Sequence, residues 1–236
     1  MTTPQSPAVF TAMTARFEAR LKTRILAFGS SNTERFLPGM HWFDVFDLAL
    51  QNCYGRIHHC INTGIGGHTT RDLLGRFDED AAFYKPHLVF ITIGGNDSNP
   101  DRQMTPDEFE ANLLELHRRF ASWGCAVVFQ TYYAPDPARV GAGHLATFRT
   151  MMQRVRIAAS KTGAGLVDHL ARWEALQAKH PDRYLPLMQD GFHLNRRGNK
   201  VLGFDLASRF GSAPTSEEAY WKEAKEGTLL MDGALG

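Results

Sequence analysis

The feature that most constrains this chain is a regular alternation of short β-rich runs with longer helix-patterned segments. "TRILAFGSS" (23–31), "IHHCINTG" (57–64), "PHLVFITIGGND" (86–97), "CAVVFQTYY" (125–133) and "GLVDHL" (165–170) read as five strands. The third is the clearest, β-branched and apolar up to its glycines, as a strand buried on both faces must be. Between them, "WFDVFDLALQN" (42–52), "TTRDLLGRFDEDAAFY" (69–84), residues 105–124 and residues 144–162 carry helical spacing. "RRGNKVLGFDLASRF" (196–210) reads as the last core helix. The segment 105–124 has Thr105 to cap it, Pro106 at its first position, Glu108 to complete a capping box and Gly124 to stop it. Helices interleaved with strands require a parallel sheet covered on both faces, so the expected class is α/β.

With 236 residues the chain can bury one sizeable core. Hydrophobic residues make up 43% and charged residues 22%, and the net charge of +1 is spread without a basic block, which argues against a nucleic-acid partner. No apolar run approaches the ~20 residues of a membrane span. The start, "MTTPQSPAVFTAMTARFEAR", lacks a charged segment followed by an apolar core, so no signal peptide is expected. Three irregularly spaced cysteines (Cys53, Cys60, Cys125) form no disulfide framework. They read as small buried apolar side chains, and a cytoplasmic location is expected. Residues 1–22 read as an N-terminal extension, 23–211 as the domain and 212–236 as a polar tail. The tail's Tyr220, Trp221, Leu229, Leu230 and Met231 pack either on the domain or on a second subunit of a homo-oligomer.

In a parallel sheet of this kind the ligand crevice lies at the carboxyl ends of the strands. The unusual polar residues fall there: Ser30 and Ser31 after the first strand, glycines among 64–67 after the second, Asn96 and Asp97 after the third. A late loop, "QDGFHLNRRGN" (189–199), adds Asp190 and His193 three residues apart. A turn brings such a pair together, so that a buried carboxylate fixes one imidazole nitrogen and leaves the other free to take a proton from a hydroxyl. A serine becomes a useful nucleophile only beside such a base. Attack on an ester carbonyl also needs fixed donors for the oxyanion. A glycine N–H, the Asn96 side chain and the nucleophile's own N–H can supply them. Spacing alone leaves both serines open as the nucleophile.

The four stretches "GSSNT", "NTGIGGHTT", "GGNDS" and "DGFH", in this order, resemble the blocks of the SGNH hydrolases, the GDSL esterase/lipase family. The match spans about residues 24–210. The resemblance implies a three-layer α/β/α sandwich with a flavodoxin-like five-stranded parallel sheet. It also implies ester hydrolysis through an acyl-enzyme, with a small-molecule ester as partner and no metal or other cofactor. Aligning "GSS" with glycine-aspartate-serine puts the nucleophile at Ser31, and Ser30 where the family usually has aspartate. The other matches are Asp190 and His193 for the triad, and Gly67 and Asn96, with the Ser31 N–H, for the oxyanion hole. Gly67 is chosen over Gly64 and Gly66 by aligning "NTGIGGHT" with the family's asparagine followed by glycine-aspartate-threonine. His68 then stands where many members carry aspartate, so acyl-pocket specificity is expected to differ. Short segments between the blocks and the absence of a large apolar lid point to small acyl groups, including acetyl groups on carbohydrate. A lysophospholipase, a thioesterase and a non-catalytic binding module are the alternatives.

Other residues have plainer readings. Trp42, Tyr132, Tyr133 and Met188, together with His68, are candidates to line the substrate pocket, and core packing competes for each aromatic and for Met188. His58, His59 and Cys60 lie in one strand, where neighbours point to opposite faces and do not share an ion. His117 is expected on the solvated side of its helix, Asp97 as a loop-holding carboxylate, and Arg196 and Arg197 at an exposed helix start.

Overall fold

A computed structural model describes residues 7–216 and 218–235; the first six positions of the expected N-terminal extension lie outside it. In chain order the elements are α1 (Pro7–Glu18), β1 (Arg24–Gly29), α2 (Trp42–Tyr54), β2 (His59–Asn62), α3 (Thr70–Gly75), α4 (Phe77–Asp80), β3 (Leu88–Thr92), α5 (Pro106–Ala121) and β4 (Ala126–Gln130). They continue with α6 (Ala142–Thr162), β5 (Gly165–Val167), α7 (His169–Lys179), α8 (Pro181–Tyr184), α9 (Arg196–Arg209) and α10 (Ala219–Leu235). All five strands are parallel, in the order β2-β1-β3-β4-β5. From β1 the chain turns to β2 on one side, and from β3 it turns to β4 on the other. Between β1 and β3 the carboxyl ends therefore open a crevice that no connection covers.

Alternation along the strands sends side chains to the two helical layers. In the β1–β3 register Ala27 faces Phe90 and Phe28 faces Ile91. Phe90 packs against Trp42, Phe43 and Phe46 of α2 and against Phe210 at the end of α9. Phe28, pointing the other way, meets Phe120 of α5. Each of these rings is fully buried.

Several expectations are altered by packing. The single helix expected over 69–84 breaks into α3, α4 and a 3-10 turn at Ala82–Tyr84. At the break Arg76 turns inward over the Phe28 ring and donates to the carbonyls of Thr63 and Gly29, at 2.6 and 2.9 Å. Strand β5 stops at Val167 because Asp168 caps α7, a helix within what reads as an irregular stretch. At α5, Thr105 does cap the Glu108 N–H, but the Glu108 carboxylate pairs with Arg71 and leaves the box half-formed. His117 is half-buried near Phe129 rather than solvated, and burial lowers its pKa. Of the cysteines only Cys125 is buried; Cys53 is exposed.

Both ends of the described chain pack into the same core. Phe10, Met13 and Phe17 of α1 are buried, with Phe10 and Phe17 against Phe210. Helix α10 lies on α7 and α9 and buries Trp221, Ala224 and Met231, while Leu229 stays exposed.

Candidate active site

The loop after β1 is a tight turn in which the Ser30 carbonyl accepts from the N–H groups of Thr33 and Glu34 at 2.8 and 2.9 Å. The turn sends the two serines into different surroundings. Ser30 is fully buried, its hydroxyl 3.0 Å from the Tyr132 hydroxyl. Ser31 is only partly buried, and its Oγ lies 2.9 Å from His193 Nε2.

His193 comes from the loop before α9. That loop folds back on itself: Met188 bridges Leu194, and Gln189 N–H donates to the His193 carbonyl at 2.7 Å. Asp190 and His193 therefore face each other, with Nδ1 2.8 Å from Asp190 Oδ2. Asp190 Oδ1 also accepts the backbone N–H groups of Phe192 and His193, each at 2.8 Å. The carboxylate is not the buried one expected: 52% of its side-chain surface is exposed. Its partial burial favours the neutral acid, but the two N–H donors and His193 outweigh it and hold the pKa below the ordinary aspartate value.

Candidate oxyanion donors stand in the loops after β1, β2 and β3. Asn96 follows β3 and spends one amide N–H on the His68 carbonyl at 2.8 Å, and the other meets no acceptor among the described residues. The N–H groups of Ser31, Gly66 and Gly67 meet no acceptor among the described residues. The glycine loop needs its glycines. A Cβ at Gly64 would fall 2.4 Å from the Glu34 nitrogen, and Gly67 sits at φ +78°. Within the loop it is Gly66 whose Cβ position faces Ser31 Cβ, at 3.8 Å, while that of Gly67 meets only Arg102.

Asp97 anchors this region from below. It is buried, and its Oδ1 accepts from both the N–H and the hydroxyl of Thr70, at 2.8 and 2.7 Å. Its Oδ2 has no hydrogen-bond partner among the described residues. Burial pushes the pKa up to about 6 against the opposing bonds from Thr70. An acid with a raised folded-state pKa stabilises most below its unfolded value and loses that contribution as pH rises through the folded one. Between about pH 3 and pH 7 the stability of wild type relative to Asp97→Asn is therefore expected to fall, by on the order of 3 kcal/mol. Urea titrations across that range check it; a difference independent of pH rules the assignment out.

A small cleft of about 110 Å³ is lined by Ser31, Asn32, Gly95, Asn96, Asn99, Tyr132, His144, Phe192 and His193. Of the five expected pocket residues, only Tyr132 belongs to it. Trp42 is buried under the loop after β1 and donates its indole N–H to the Asn32 carbonyl at 2.7 Å. Met188 is in the core, held there by its bridge to Leu194. His68 is half-buried and touches the site through its carbonyl. Tyr133 is buried, and its hydroxyl ties two loops together. It bonds the Asn32 side chain, donates to the Phe192 carbonyl at 2.7 Å and accepts the Leu194 N–H at 3.0 Å. One hydroxyl proton serves one acceptor, so the bonds balance when Asn32 presents its amide N–H to this oxygen. Asn32, His144 and Phe192 were not singled out from the sequence, although Asn32 and Phe192 lie inside the "GSSNT" and "DGFH" blocks.

A hydroxyl from the loop after β1 and an imidazole and a carboxylate from the loop before α9 stand in hydrogen-bonded line at the carboxyl edge of a parallel sheet. The chain belongs to the GDSL-like Lipase/Acylhydrolase family, whose sequence pattern matches residues 27–201. It is a carboxylic ester hydrolase of the SGNH group. An acetylxylan esterase of Geobacillus stearothermophilus is 29% identical over 167 residues, covering 61% of this chain and 72% of that protein. An isoamyl acetate-hydrolyzing esterase 1 homolog of Rattus norvegicus is 25% identical and covers 89% of this chain and 93% of its own. Among solved structures, LAE5, an alpha/beta hydrolase enzyme from the metagenome of Lake Arreo, Spain, superposes with a TM-score of 0.70 at 26% identity, over 82% of this chain and 97% of its own. Among the described residues no helix is long and apolar enough to cross a membrane.

Proposed function

We propose that this enzyme is a serine esterase that removes small acyl groups, acetyl foremost, through an acyl-enzyme on Ser31. The observation that carries the reading is the line from Ser31 Oγ through His193 to Asp190, with spacings of 2.9 and 2.8 Å. His193 Nε2 takes the Ser31 proton as Oγ bonds to the ester carbon. The carbonyl oxygen becomes an oxyanion that rests on the N–H groups of Ser31 and Gly67 and on the Asn96 amide. Collapse breaks the bond to the alcohol oxygen, which leaves with the proton from His193. Water then gives a proton to His193 and attacks the acyl carbon, and Ser31 departs with that proton as the acid is released. Asp190, ionised through this cycle, holds the imidazole in the tautomer that points its lone pair at Ser31 and stabilises the imidazolium.

Support for a small acyl group comes from the cleft. Its volume of about 110 Å³ is far below the ~300–1,000 Å³ of sites for larger ligands. Two relatives are named for acetyl or acetate esters, which favours acetyl groups on carbohydrate as one class of substrate. The odd, irregularly spaced cysteines keep a cytoplasmic location within this reading.

A panel of 4-nitrophenyl esters from acetyl to long-chain acyl, together with acetylated xylo-oligosaccharides, tests the proposal. The expected profile peaks at acetyl and falls steeply with chain length. A maximum at long chains would move the assignment to a lysophospholipase or thioesterase. A fluorophosphonate is expected to label Ser31; label on Ser30 would overturn the choice of nucleophile.

A further inference from the structure

A second and larger cleft lies beside the catalytic loop. The Phe36 ring packs edge-on against His193, with centroids 5.2 Å apart. From there the chain runs through Pro38 to Gly39 and Met40, which wall a cleft of about 500 Å³ with Arg196, Arg197, Lys200, Tyr220 and Glu223. Arg196 follows His193 by three residues, so their Cα atoms are at most about 11 Å apart. The two clefts share no lining residue.

The second cleft is cationic. Glu223 is its one acid and is shared, accepting from Arg197 Nε at 2.8 Å and from Lys200. Lys200 is largely covered, its ammonium 4.4 Å from the centre of the Tyr220 ring. Arg196 is exposed and has neither hydrogen bond nor ion pair among the described residues. The nearby Asp44 is taken by Arg35. Three cations thus face one carboxylate. The α9 N-terminus adds no free donors at its second and third positions, because the Asn195 side chain accepts the N–H groups of Arg197 and Gly198 at 2.9 and 3.2 Å. The excess positive charge belongs to the side chains.

We infer that this cleft binds an anionic substituent, carboxylate or phosphate, carried on the alcohol portion of the ester. The inference rests on the esterase reading and names a substrate class for it: acetylated saccharides that bear a negative charge near the ester. The acyl cleft is filled by a small group, so the alcohol portion must lie outside it. The wall formed by residues 36–40 leads from His193 to a concave site with surplus positive charge. Arg196 supplies a planar fork suited to the paired oxygens of a carboxylate or phosphate, and its exposure leaves the attraction open to screening by salt.

The test compares three acetylated oligosaccharides: one with a uronate carboxylate, the same compound with that carboxylate converted to the primary amide, and an acetylated sugar phosphate. At low ionic strength the full-length enzyme is expected to prefer a charged substrate to the amide by about tenfold in kcat/KM, mostly through KM, and to lose the preference in 0.5 M salt. The charged arm that gains more identifies the natural anion. Arg196→Gln is expected to bring the charged-to-neutral ratio close to one. A ratio near one in wild type for both anions, or a ratio unchanged in the variant, overturns the inference. Inorganic phosphate, titrated into Ser31→Ala and read by NMR shifts of the cleft's aromatic and methyl signals, separates the two claims. Phosphate shifts at Tyr220 and Met40 that vanish with Arg196→Gln support the cleft even if no ester is hydrolysed, an outcome that would strike the esterase reading alone. No shift at either residue counts against the cleft whatever the esterase activity.

Discussion

Ser31→Ala is expected to lower the hydrolysis of 4-nitrophenyl acetate by ~10⁴-fold or more, with stability changed by less than about 0.5 kcal/mol. The size follows from what the hydroxyl is asked to do. Without it the imidazole has no proton to take and no covalent intermediate forms, leaving only the residual help of the oxyanion donors. The small stability effect follows from its partial exposure and its single side-chain partner, His193. Ser30→Ala provides the contrast. That hydroxyl is buried on Tyr132, so its loss costs about 1 kcal/mol of stability and takes no participant from the reaction. Steady-state rates with chemical denaturation of both variants check the pair. A Ser31→Ala enzyme working within tenfold of wild type would end the proposal.

The second large effect is structural. Phe90→Ala is expected to destabilise the fold by ~3–5 kcal/mol, a large share of the ~5–15 kcal/mol that holds a typical domain together. Phe90 sits at the middle of β3, fully buried, with four aromatic side chains around it from α2 and the end of α9. Rings fixed by so many neighbours do not collapse into the space left behind, so the cavity term adds in full. Guanidinium denaturation would show a lower midpoint with an unchanged slope. A loss under about 1 kcal/mol would mean that these helices can slide together, contrary to the packing described.

How much of this was legible in the sequence depends on whether the controlling force is local. The five strands and the parallel sheet follow from alternation and β-branched runs, which act within a few residues. The Asp190–His193 pair was legible because both groups sit on one short turn. The choice between Ser30 and Ser31 was not legible from spacing: both follow the same strand, and only the turn's geometry buries one and presents the other. Family likeness supplied what spacing left open. Two of the three aromatic candidates lie outside the cleft for a related reason. Trp42 and Tyr133 suit a core as well as a cleft, and what places them is a polar atom on each that reaches the nucleophile loop. Helices α1 and α10 carry apolar residues at helical spacing, as at Phe10, Met13 and Phe17. Their stability comes from the surface they cover, and that surface exists only once the sheet has assembled. The exposure of Asp190 likewise depends on how the loop lies on the finished fold.

Ser31 and His193 are separated by 162 positions yet meet within hydrogen-bonding distance. During synthesis the proposed nucleophile is therefore made 162 positions ahead of its proposed base. Over that interval Ser31, on this proposal, is chemically dormant. On the proposed mechanism the hydrolytic site is complete only once the loop that carries Asp190 and His193 has been made, and a domain cut short before that loop is expected to leave 4-nitrophenyl acetate untouched.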